Sequence, residues 1–237
     1  MHRQRRPRDG GLRSNTEWQR QLSTPVDQSV KAAMYDIDMF DTSASVVASL
    51  HSAGRKVVCY IDFGTWENWR SGASRFPASV KGKSNGWPGE KWLDIRQLSI
   101  LQPIMNRRVD VCKAKGFDAG EPANIDGYSN STGYPLNYQE QVTWIASAAH
   151  ARGLSVALKN DADQVHALLP YFDFVIDEQC FQYGECSSLQ PFITAHKAVF
   201  EVEYSLSTSS FCPKANQMNF NSMKKHLSLD AYRQACR

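Results

Sequence analysis

The residues best suited to chemistry lie at positions 116–128, which read GFDAGEPANIDGY. An apolar run at 117–120 predicts a strand, and Glu121, Asn124 and Asp126 follow it closely. Parallel α/β barrels present catalytic groups in this way, at the rim where the carboxyl ends of the strands meet. Carboxylates at such a rim can transfer protons to and from a substrate. The alternative interpretation of this stretch alone is a strand followed by a polar turn.

Strand-like and helix-like segments alternate along most of the chain. Apolar runs predict strands at 18–22, 32–37, 56–61, 117–120, 154–158, 172–176 and 198–202, with a weaker strand and a last helix inside 219–232. Helical spacing predicts helices at 42–53, 97–115, 138–152, 165–169 and 189–196. Pro122 is predicted to end the central strand, because proline has no N–H for a ladder. Seven or eight such units predict an α/β fold, a single-domain (β/α)8 TIM-type barrel.

Charge is unevenly distributed along the chain. The first 13 residues hold five arginines against one aspartate, whereas the rest is nearly neutral. We therefore expect a disordered arm at 1–16 and the barrel at 17–237, without a basic surface for nucleic acid.

No apolar run approaches the roughly 20 residues that span a bilayer, so no membrane span and no signal peptide are predicted in this sequence. We expect a monomer.

Polar side chains at the predicted strand ends, with one loop tryptophan, form the candidate site. The candidate substrate-binding residues are Asp36, Tyr60, Asp62, Trp66, Glu121, Asn124, Lys159, Asn160, Asp161, Gln179, Glu201 and Tyr204. Trp66 belongs to a long loop at 64–94 that holds four of the six tryptophans, whose faces suit sugar rings. Each of these residues has an ordinary structural alternative, either hydrogen bonding at a strand end or packing of the loop. A rim of carboxylates with aromatic walls best fits glycoside hydrolysis, which uses two carboxyl groups.

Other kinds of site have less support in the sequence. The six histidines lie on predicted helices or tails, so no Ser/His/Asp set is indicated. No glycine-rich nucleotide motif occurs, and neither the acids nor the cysteines have the spacing of a calcium or zinc site. We therefore predict no cofactor and no metal. A metal-dependent hydrolase on a barrel is the least favoured alternative.

Cysteine usage favours an oxidising compartment. Cys180 and Cys186 flank the five residues FQYGE, a loop that a disulfide could close. An even count of six cysteines agrees with secretion, and Asn130 begins one glycosylation sequon. The alternative is six buried thiols in a cytosolic enzyme. The pairing of the other four cysteines is left open by their spacing.

Eight stretches together resemble glycoside hydrolase family 114, the endo-α-1,4-polygalactosaminidases, from Trp18 to about Tyr232. They are YDIDMFDTSA, KVVCYID, WENWR, GWPGEKWLDIR, AKGFDAGEPANIDGY, GLSVALKND, FVIDEQCFQYGEC and VFEVEY. The resemblance implies a barrel enzyme without a cofactor that acts on α-1,4-linked galactosamine polymers of secreted microbial exopolysaccharides. De-acetylated galactosamine units are cationic, and a rim of Asp and Glu complements them.

The resemblance also implies two catalytic acids. One is the glutamate of the DEQC motif, Glu178, as the general acid/base. The other is the first aspartate of an EPDN-x-D motif, where this chain reads EPANID and therefore has Ala123, leaving only Asp126. Alanine can neither accept a proton nor attack an anomeric carbon, so we predict impaired hydrolysis unless Asp126 takes that role. Arg20 is a second departure, because members often carry an aromatic residue there. The resulting alternative is a non-hydrolytic carbohydrate-binding protein on the same barrel.

Overall fold

The computed structural model describes residues 12–134 and 140–237. The strands are β1 (Trp18–Gln21), β2 (Met34–Asp38), β3 (Lys56–Asp62), β4 (Thr65–Glu67), β5 (Lys81–Ser84), β6 (Glu90–Leu93), β7 (Ala119–Ala123), β8 (Ser155–Lys159), β9 (Phe174–Glu178), β10 (Val199–Glu203), β11 (Asn221–Lys224) and β12 (Gln234–Ala235). The helices are α1 (Ala44–Ser52), α2 (Leu98–Ala114), α3 (Glu140–Ala151), α4 (Val165–Leu168), α5 (Cys180–Tyr183), α6 (Gln190–Thr194) and α7 (Thr208–Gln217).

Eight parallel strands form the main sheet, and their order in space is their order in the chain. The sheet runs β1-β2-β3-β7-β8-β9-β10-β11, and the short β12 pairs antiparallel with β11. Side chains join the first and last parallel strands, because the Trp18 Nε1–H donates to the Asn221 carbonyl at 2.8 Å. Lys225 Nζ likewise donates to Gln19 Oε1 at 3.2 Å. The (β/α)8-type barrel prediction is confirmed.

Alternation along the strands separates an apolar interior from a polar upper layer. Successive side chains of a strand point to opposite faces, so residues two apart share a face. One buried cluster contains the inward apolar residues Trp18, Met34, Val58, Ala119, Ala157, Phe174, Ile176, Ala198, Phe200, Val202 and Met223. Two residues further along four of these strands come Arg20, Asp36, Glu121 and Glu178. The same interior that is apolar at its base therefore becomes ionic at the carboxyl ends of its strands.

The structure corrects three local predictions. Pro122 does not end the central strand but lies inside β7; β7 pairs with β8 only at Ala119 and Gly120, so that ladder has already ended before the proline. The predicted loop at 64–94 contains a three-stranded antiparallel sheet of β4, β6 and β5. The strand in 219–232 is present as β11, whereas the helix predicted after it is absent from that described stretch, and α7 precedes β11 instead.

Part of two predictions falls outside the described residues. The predicted arm at 1–16 is described only from residue 12 onward, and the helix predicted to begin at 138 is described from Glu140. Leu12 is buried and contributes to the interior apolar cluster. The Asn221 side chain donates to the Arg13 carbonyl at 3.0 Å. The end of the predicted arm therefore packs onto the barrel.

We expect Phe200→Ala to lower the free energy of unfolding by about 3–5 kcal/mol, because it empties the centre of the barrel. Phe200 is fully buried, with ring centroids 5.1 Å from Trp18 and 5.8 Å from Phe174. Urea unfolding followed by circular dichroism measures the change. Leu227→Ala is the control, since Leu227 is 61% exposed and should change stability by less than about 0.5 kcal/mol. Equal effects of the two substitutions would contradict this assignment of the core.

Candidate functional site

Glu178 is the centre of the candidate site, at the last position of β9. Its Oε2 accepts a hydrogen bond from Lys159 Nζ at 2.8 Å, and its Oε1 accepts one from the Tyr204 hydroxyl. Arg20 Nη2 lies 3.6 Å from the same Oε1. The backbone N–H of Glu178 donates to Asn160 Oδ1 at 3.0 Å. Four strands therefore fix the position of one carboxylate.

These contacts keep Glu178 ionised. Burial by itself would raise its pKa, but the Lys159 ammonium, the Arg20 guanidinium and the hydrogen bonds from Lys159 and Tyr204 lower the pKa to about 2. A carboxyl group with such a pKa carries its negative charge across the physiological pH range. It is suited to act as a nucleophile, as a base or as an anion that attracts a cation.

An ion layer lies directly below Glu178 inside the barrel. Arg20 Nη1 donates to Asp36 Oδ2 at 2.7 Å and to Glu121 Oε1 at 2.6 Å, and all three side chains are buried. The guanidinium carbon lies 5.7 Å from the centre of the Tyr60 ring. Arg20, which the sequence marked only as a departure from the family, thus links two predicted substrate-binding acids to Glu178. Nothing in the local sequence around Arg20 indicates these partners.

A cleft of about 300 Å³ opens beside Glu178. Its lining residues are Asp126, Tyr128, Ser129, Asn160, Asp161, Ala162, Asp163, Glu178, Gln179, Tyr183 and Glu185. Of these lining residues, which belong to the described part of the chain, five carry carboxyl groups and none is a lysine or an arginine. The structure thus brings Glu178, Asp126, Asn160, Asp161 and Gln179 together as predicted neighbours. Four further lining residues were not predicted from the sequence: Tyr128, Asp163, Tyr183 and Glu185. Tyr128 and Asp163 lie two residues beyond the predicted site residues Asp126 and Asp161, whereas Tyr183 and Glu185 lie at and after the end of α5.

Position 123 lies on the rim of the barrel interior. Ala123 is two residues beyond the inward Glu121 on β7, so alternation along the strand directs its methyl group to the same face as Glu121. It is 4% exposed. Asp126, three residues later, reaches the cleft, where burial raises the pKa of its carboxyl and Lys159 partly opposes that rise. The chain thus has a methyl group at the first acid position and a cleft-facing carboxyl group at the second.

Four non-glycine residues at these strand ends have left-handed backbone conformations. They are Asn124 (φ 57°), Asn160 (φ 51°), Asp161 (φ 60°) and Gln179 (φ 66°). Such conformations cost free energy for residues with a Cβ, and in proteins they are concentrated at functional sites. At Asn160 the turn directs Oδ1 onto both Glu178 N and Lys159 Nζ, at 3.0 and 2.9 Å. The strained turns at Asn160, Asp161 and Gln179 therefore place polar side chains at the cleft, whereas the Asn124 amide binds Asp62.

Asp161 is the most enclosed acid of the cleft. Its Oδ1 accepts hydrogen bonds from the Tyr128 hydroxyl at 2.8 Å and from Gln164 Nε2 at 3.0 Å. Burial is the main influence on its carboxyl, and it raises the pKa of Asp161 to about 7 even though both hydrogen bonds favour the ionised form. Its charge therefore changes close to neutral pH.

Four predicted substrate-binding residues lie neither in the cleft lining nor among the groups that contact Glu178 and Arg20. They are Trp66, Asp62, Asn124 and Glu201. Trp66 is half-buried in the small sheet, where its Nε1–H donates to the Ala73 carbonyl at 2.9 Å and Lys81 Nζ lies 3.9 Å from its ring centre. Asp62 is buried, accepts hydrogen bonds from Thr65 N and Asn124 Nδ2, and has its pKa raised to about 8 mainly by burial. Glu201 points to the outer face of the barrel, because Phe200 and Val202 on either side of it point inward.

Two disulfides are present, Cys180–Cys186 as predicted and Cys212–Cys236, while Cys59 and Cys112 are buried thiols. Within residues 12–134 and 140–237, no group of three His, Cys, Asp or Glu side chains is arranged to hold a metal ion. Of the helices in this described part, none has the length and apolar character that a membrane crossing needs.

We expect thermal stability to fall as the pH rises from about 5 to 8. Burial raises the pKa of Asp62 and Asp177 to about 8 and that of Asp161 to about 7, whereas the same groups titrate near 4 when unfolded. Between these values the folded state binds more protons, so raising the pH removes stability. Melting temperatures measured across this pH range test whether thermal stability falls as predicted. Asp177→Asn should flatten the profile, and a melting temperature that rises towards pH 8 would contradict the prediction.

The comparisons with known proteins extend over nearly the whole chain. A family model described as glycoside-hydrolase family GH114 matches residues 2–237. The chain is similar to Aspergillus fumigatus Ega3, solved in complex with galactosamine, at 36% identity and a TM-score of 0.90, with 95% of this chain and 96% of that chain covered. It shares its fold with the glycoside hydrolase domain of PelA from Pseudomonas aeruginosa at 12% identity and a TM-score of 0.71, with 94% and 99% covered. The comparison with curated proteins gave no match. The chain therefore belongs to glycoside-hydrolase family GH114.

Proposed function

We propose that this glycoside hydrolase binds α-1,4-linked galactosamine polymers in the cleft beside Glu178 and cleaves them internally, with turnover strongly reduced by Ala123. The observation that carries the proposal is the set of five carboxyl groups that line the cleft without a lysine or arginine among them. Similarity to Ega3, whose structure contains galactosamine, supports the same class of ligand. A free amino sugar is cationic, so an acidic cleft attracts it.

The cleft offers different environments to its acids. Asp161 is enclosed by Tyr128 and Gln164, whereas Asp163 and Glu185 are exposed. Exposed acids attract a polycation from solution, and an enclosed acid binds an ammonium group more strongly because water screens it less. We therefore assign Asp161 to direct contact with an amino group and the exposed pair to attraction of the chain.

The mechanism needs one ionised carboxylate and one proton donor. The sequence motif assigned Glu178 the acid/base role, but its bonds to Lys159 and Tyr204 favour the ionised role. In the proposed reaction Glu178 attacks the anomeric carbon or takes a proton from the attacking water. Asp126 donates a proton to the leaving glycosidic oxygen, since burial raises the pKa of its carboxyl. A carboxyl group at position 123 would perform this step from the barrel rim.

Ala123 also supports a second candidate function, that of a carbohydrate-binding protein that does not hydrolyse its ligand. The ion layer, the strained turns and the acidic cleft are all retained although the first acid of the motif is absent.

Two disulfides support action outside the cell, and we propose a monomer, which light scattering can test.

We expect Ala123→Asp to increase the rate of reducing-end release from de-acetylated α-1,4-galactosamine polymer by at least about 100-fold, because losing one member of a catalytic pair costs several powers of ten. Ala123→Asn is the matched control: it has nearly the same volume as aspartate but no carboxylate, and it should leave the rate unchanged. If the unsubstituted chain already cleaves and Ala123→Asp adds nothing, Asp126 with Glu178 is the complete pair. If Ala123→Asp stays inert while the chain binds the polymer, the non-hydrolytic function holds.

We expect the affinity for de-acetylated galactosamine oligomers to fall with rising salt concentration and to exceed the affinity for N-acetylated oligomers by about 10-fold or more. The double substitution Asp163→Asn with Glu185→Gln should reduce both the affinity and its salt dependence. Asp110→Asn is the control. Asp110 is an exposed acid on α2 that pairs with Arg152 and does not line the cleft. Calorimetric titration measures both quantities. Salt-independent binding would contradict the electrostatic assignment.

A further inference from the structure

A second group of buried polar residues lies on the outer face of the barrel, separate from the ion layer around Arg20. Asp177 pairs across the ladder with Glu201, and Glu201 pairs with Ser222, so the three residues form a row across β9, β10 and β11. Glu203 is two residues beyond Glu201 on the same face. All four are at most 4% exposed. The proposed reaction uses none of them.

Glu203 caps a helix that its own sequence leaves uncapped. Glu203 Oε1 accepts hydrogen bonds from the backbone N–H groups of Phe181 at 2.9 Å and Gln182 at 3.1 Å, in the first turn of α5. The residue before α5 is Gln179, whose side chain makes no cap bond. A carboxylate at the start of a helix satisfies free N–H groups and interacts favourably with their partial positive charge. Glu203 on β10 thus supplies the capping side chain that the α5 segment lacks.

The capped segment is one wall of the cleft. Gln179, Tyr183 and Glu185 line the cleft, and the Cys180–Cys186 disulfide closes the same stretch. The backbone N–H of Gln179 donates to the Val202 carbonyl at 2.8 Å, which extends the pairing of β9 with β10 up to the wall. Glu203 therefore joins this wall to the barrel through the backbone of the first turn of α5.

Glu201 lies beneath this cap without a partner. Among the described residues, neither of its carboxyl oxygens has a hydrogen-bond partner, and the same is true of Asp177 Oδ1, Glu203 Oε2 and Ser222 Oγ. An isolated buried carboxylate is so costly that the group binds a proton instead. Burial, with Glu203 nearby, raises the pKa of Glu201 well above its ordinary value, whereas the N–H bonds that Glu203 accepts oppose the rise in its own pKa.

We propose that Glu203 is a positioning residue for the cleft, and that Glu201 stays protonated so that the Glu203 carboxylate can cap α5. The charged groups that act on Glu201 are Glu203 on its own strand and Asp177 on β9, and both are acids. Ionisation of Glu201 would therefore add repulsion between neighbouring carboxylates. The cap should then weaken as the pH rises, and the wall formed by Gln179 and Tyr183 should loosen.

Hydrogen exchange of the Phe181 and Gln182 amides tests the proposal directly and does not depend on the proposed function. Glu203→Ala should accelerate exchange of these two amides by about 10-fold or more, because it removes a charged acceptor. Glu203→Gln keeps an acceptor oxygen and should restore most of the protection. In the unsubstituted chain, protection corrected for intrinsic exchange should fall as the pH rises. Glu201→Gln, which mimics the protonated acid, should abolish that fall and leave protection at pH 6 unchanged.

Two results would overturn the proposal. One is unchanged exchange at Phe181 and Gln182 in Glu203→Ala. The other is a loss of protection or of melting temperature in Glu201→Gln at pH 6, which would mean that Glu201 is ionised. If Glu203→Ala fails to fold, the comparison of Glu201→Gln with the unsubstituted chain at pH 6 and pH 9 decides the question. Asp177→Asn is the matched control, because it removes a neighbouring acid and leaves the capping residue intact.

Binding of de-acetylated galactosamine oligomers is the second readout, and only this part rests on the proposed function. Glu203→Ala should weaken binding by about 10-fold, and Glu203→Gln by less than about threefold. If exchange responds as expected and no variant binds the oligomer, the proposed ligand is wrong and the positioning role holds. If binding weakens without any change in exchange, Glu203 does not act through α5, and the positioning role is wrong.

Discussion

The balance of charge inside the barrel is the constraint on which the rest of the structure depends. Arg20 is 1% exposed and lies among Asp36, Glu121 and Glu178. Removing one partner of a buried ion pair leaves an uncompensated charge and costs about 3–5 kcal/mol, so the members of this layer depend on one another. The layer lies on the apolar interior and beneath the cleft, and Glu178 belongs both to the layer and to the cleft. The orientation of the candidate catalytic carboxylate is thus inseparable from the stability of the barrel.

The same carboxylate explains why the chemistry of this chain differs from a simple reading of its motif. A glutamate held by Lys159, Tyr204 and Arg20 is an anion before any substrate arrives. Its proton-donating partner therefore has to be another acid, and the first candidate position holds Ala123. The chain retains the ion layer and the strained turns at Asn160 and its neighbours. Each strained residue costs on the order of 1–3 kcal/mol of folding free energy. In the proposed function, these are the groups that bind and orient a sugar, and Ala123 stands where a proton-transferring acid is expected.

Acids serve opposite purposes on the two faces of the barrel wall. Inside, Glu178 is ionised because cations surround it. Outside, the charged groups that act on Glu201 are other acids, and burial favours its neutral form. Glu203 is an intermediate case: it is buried on the outer face like Glu201, but the backbone N–H groups of α5 stabilise its negative charge. Alternation along strands β9 and β10 places these environments only one or two residues apart, so neighbouring carboxyl groups acquire different protonation states.

The sequence by itself determined the repeating strand–helix order, the strand ends that carry Glu178 and Asp161, and the Cys180–Cys186 pair, because periodicity, local turns and a six-residue separation are properties of nearby residues. The resemblance to the family also implied that Ala123 occupies a motif position where an acid is expected. Only the tertiary structure decided which acids face the cleft. Glu201 is next to inward residues in sequence but points outward, and Trp66 packs within a small sheet that no local pattern indicated. Arg20 lies 101 positions before Glu121, its ion partner, and a contact between such distant residues exists only once the strands have closed around a common interior.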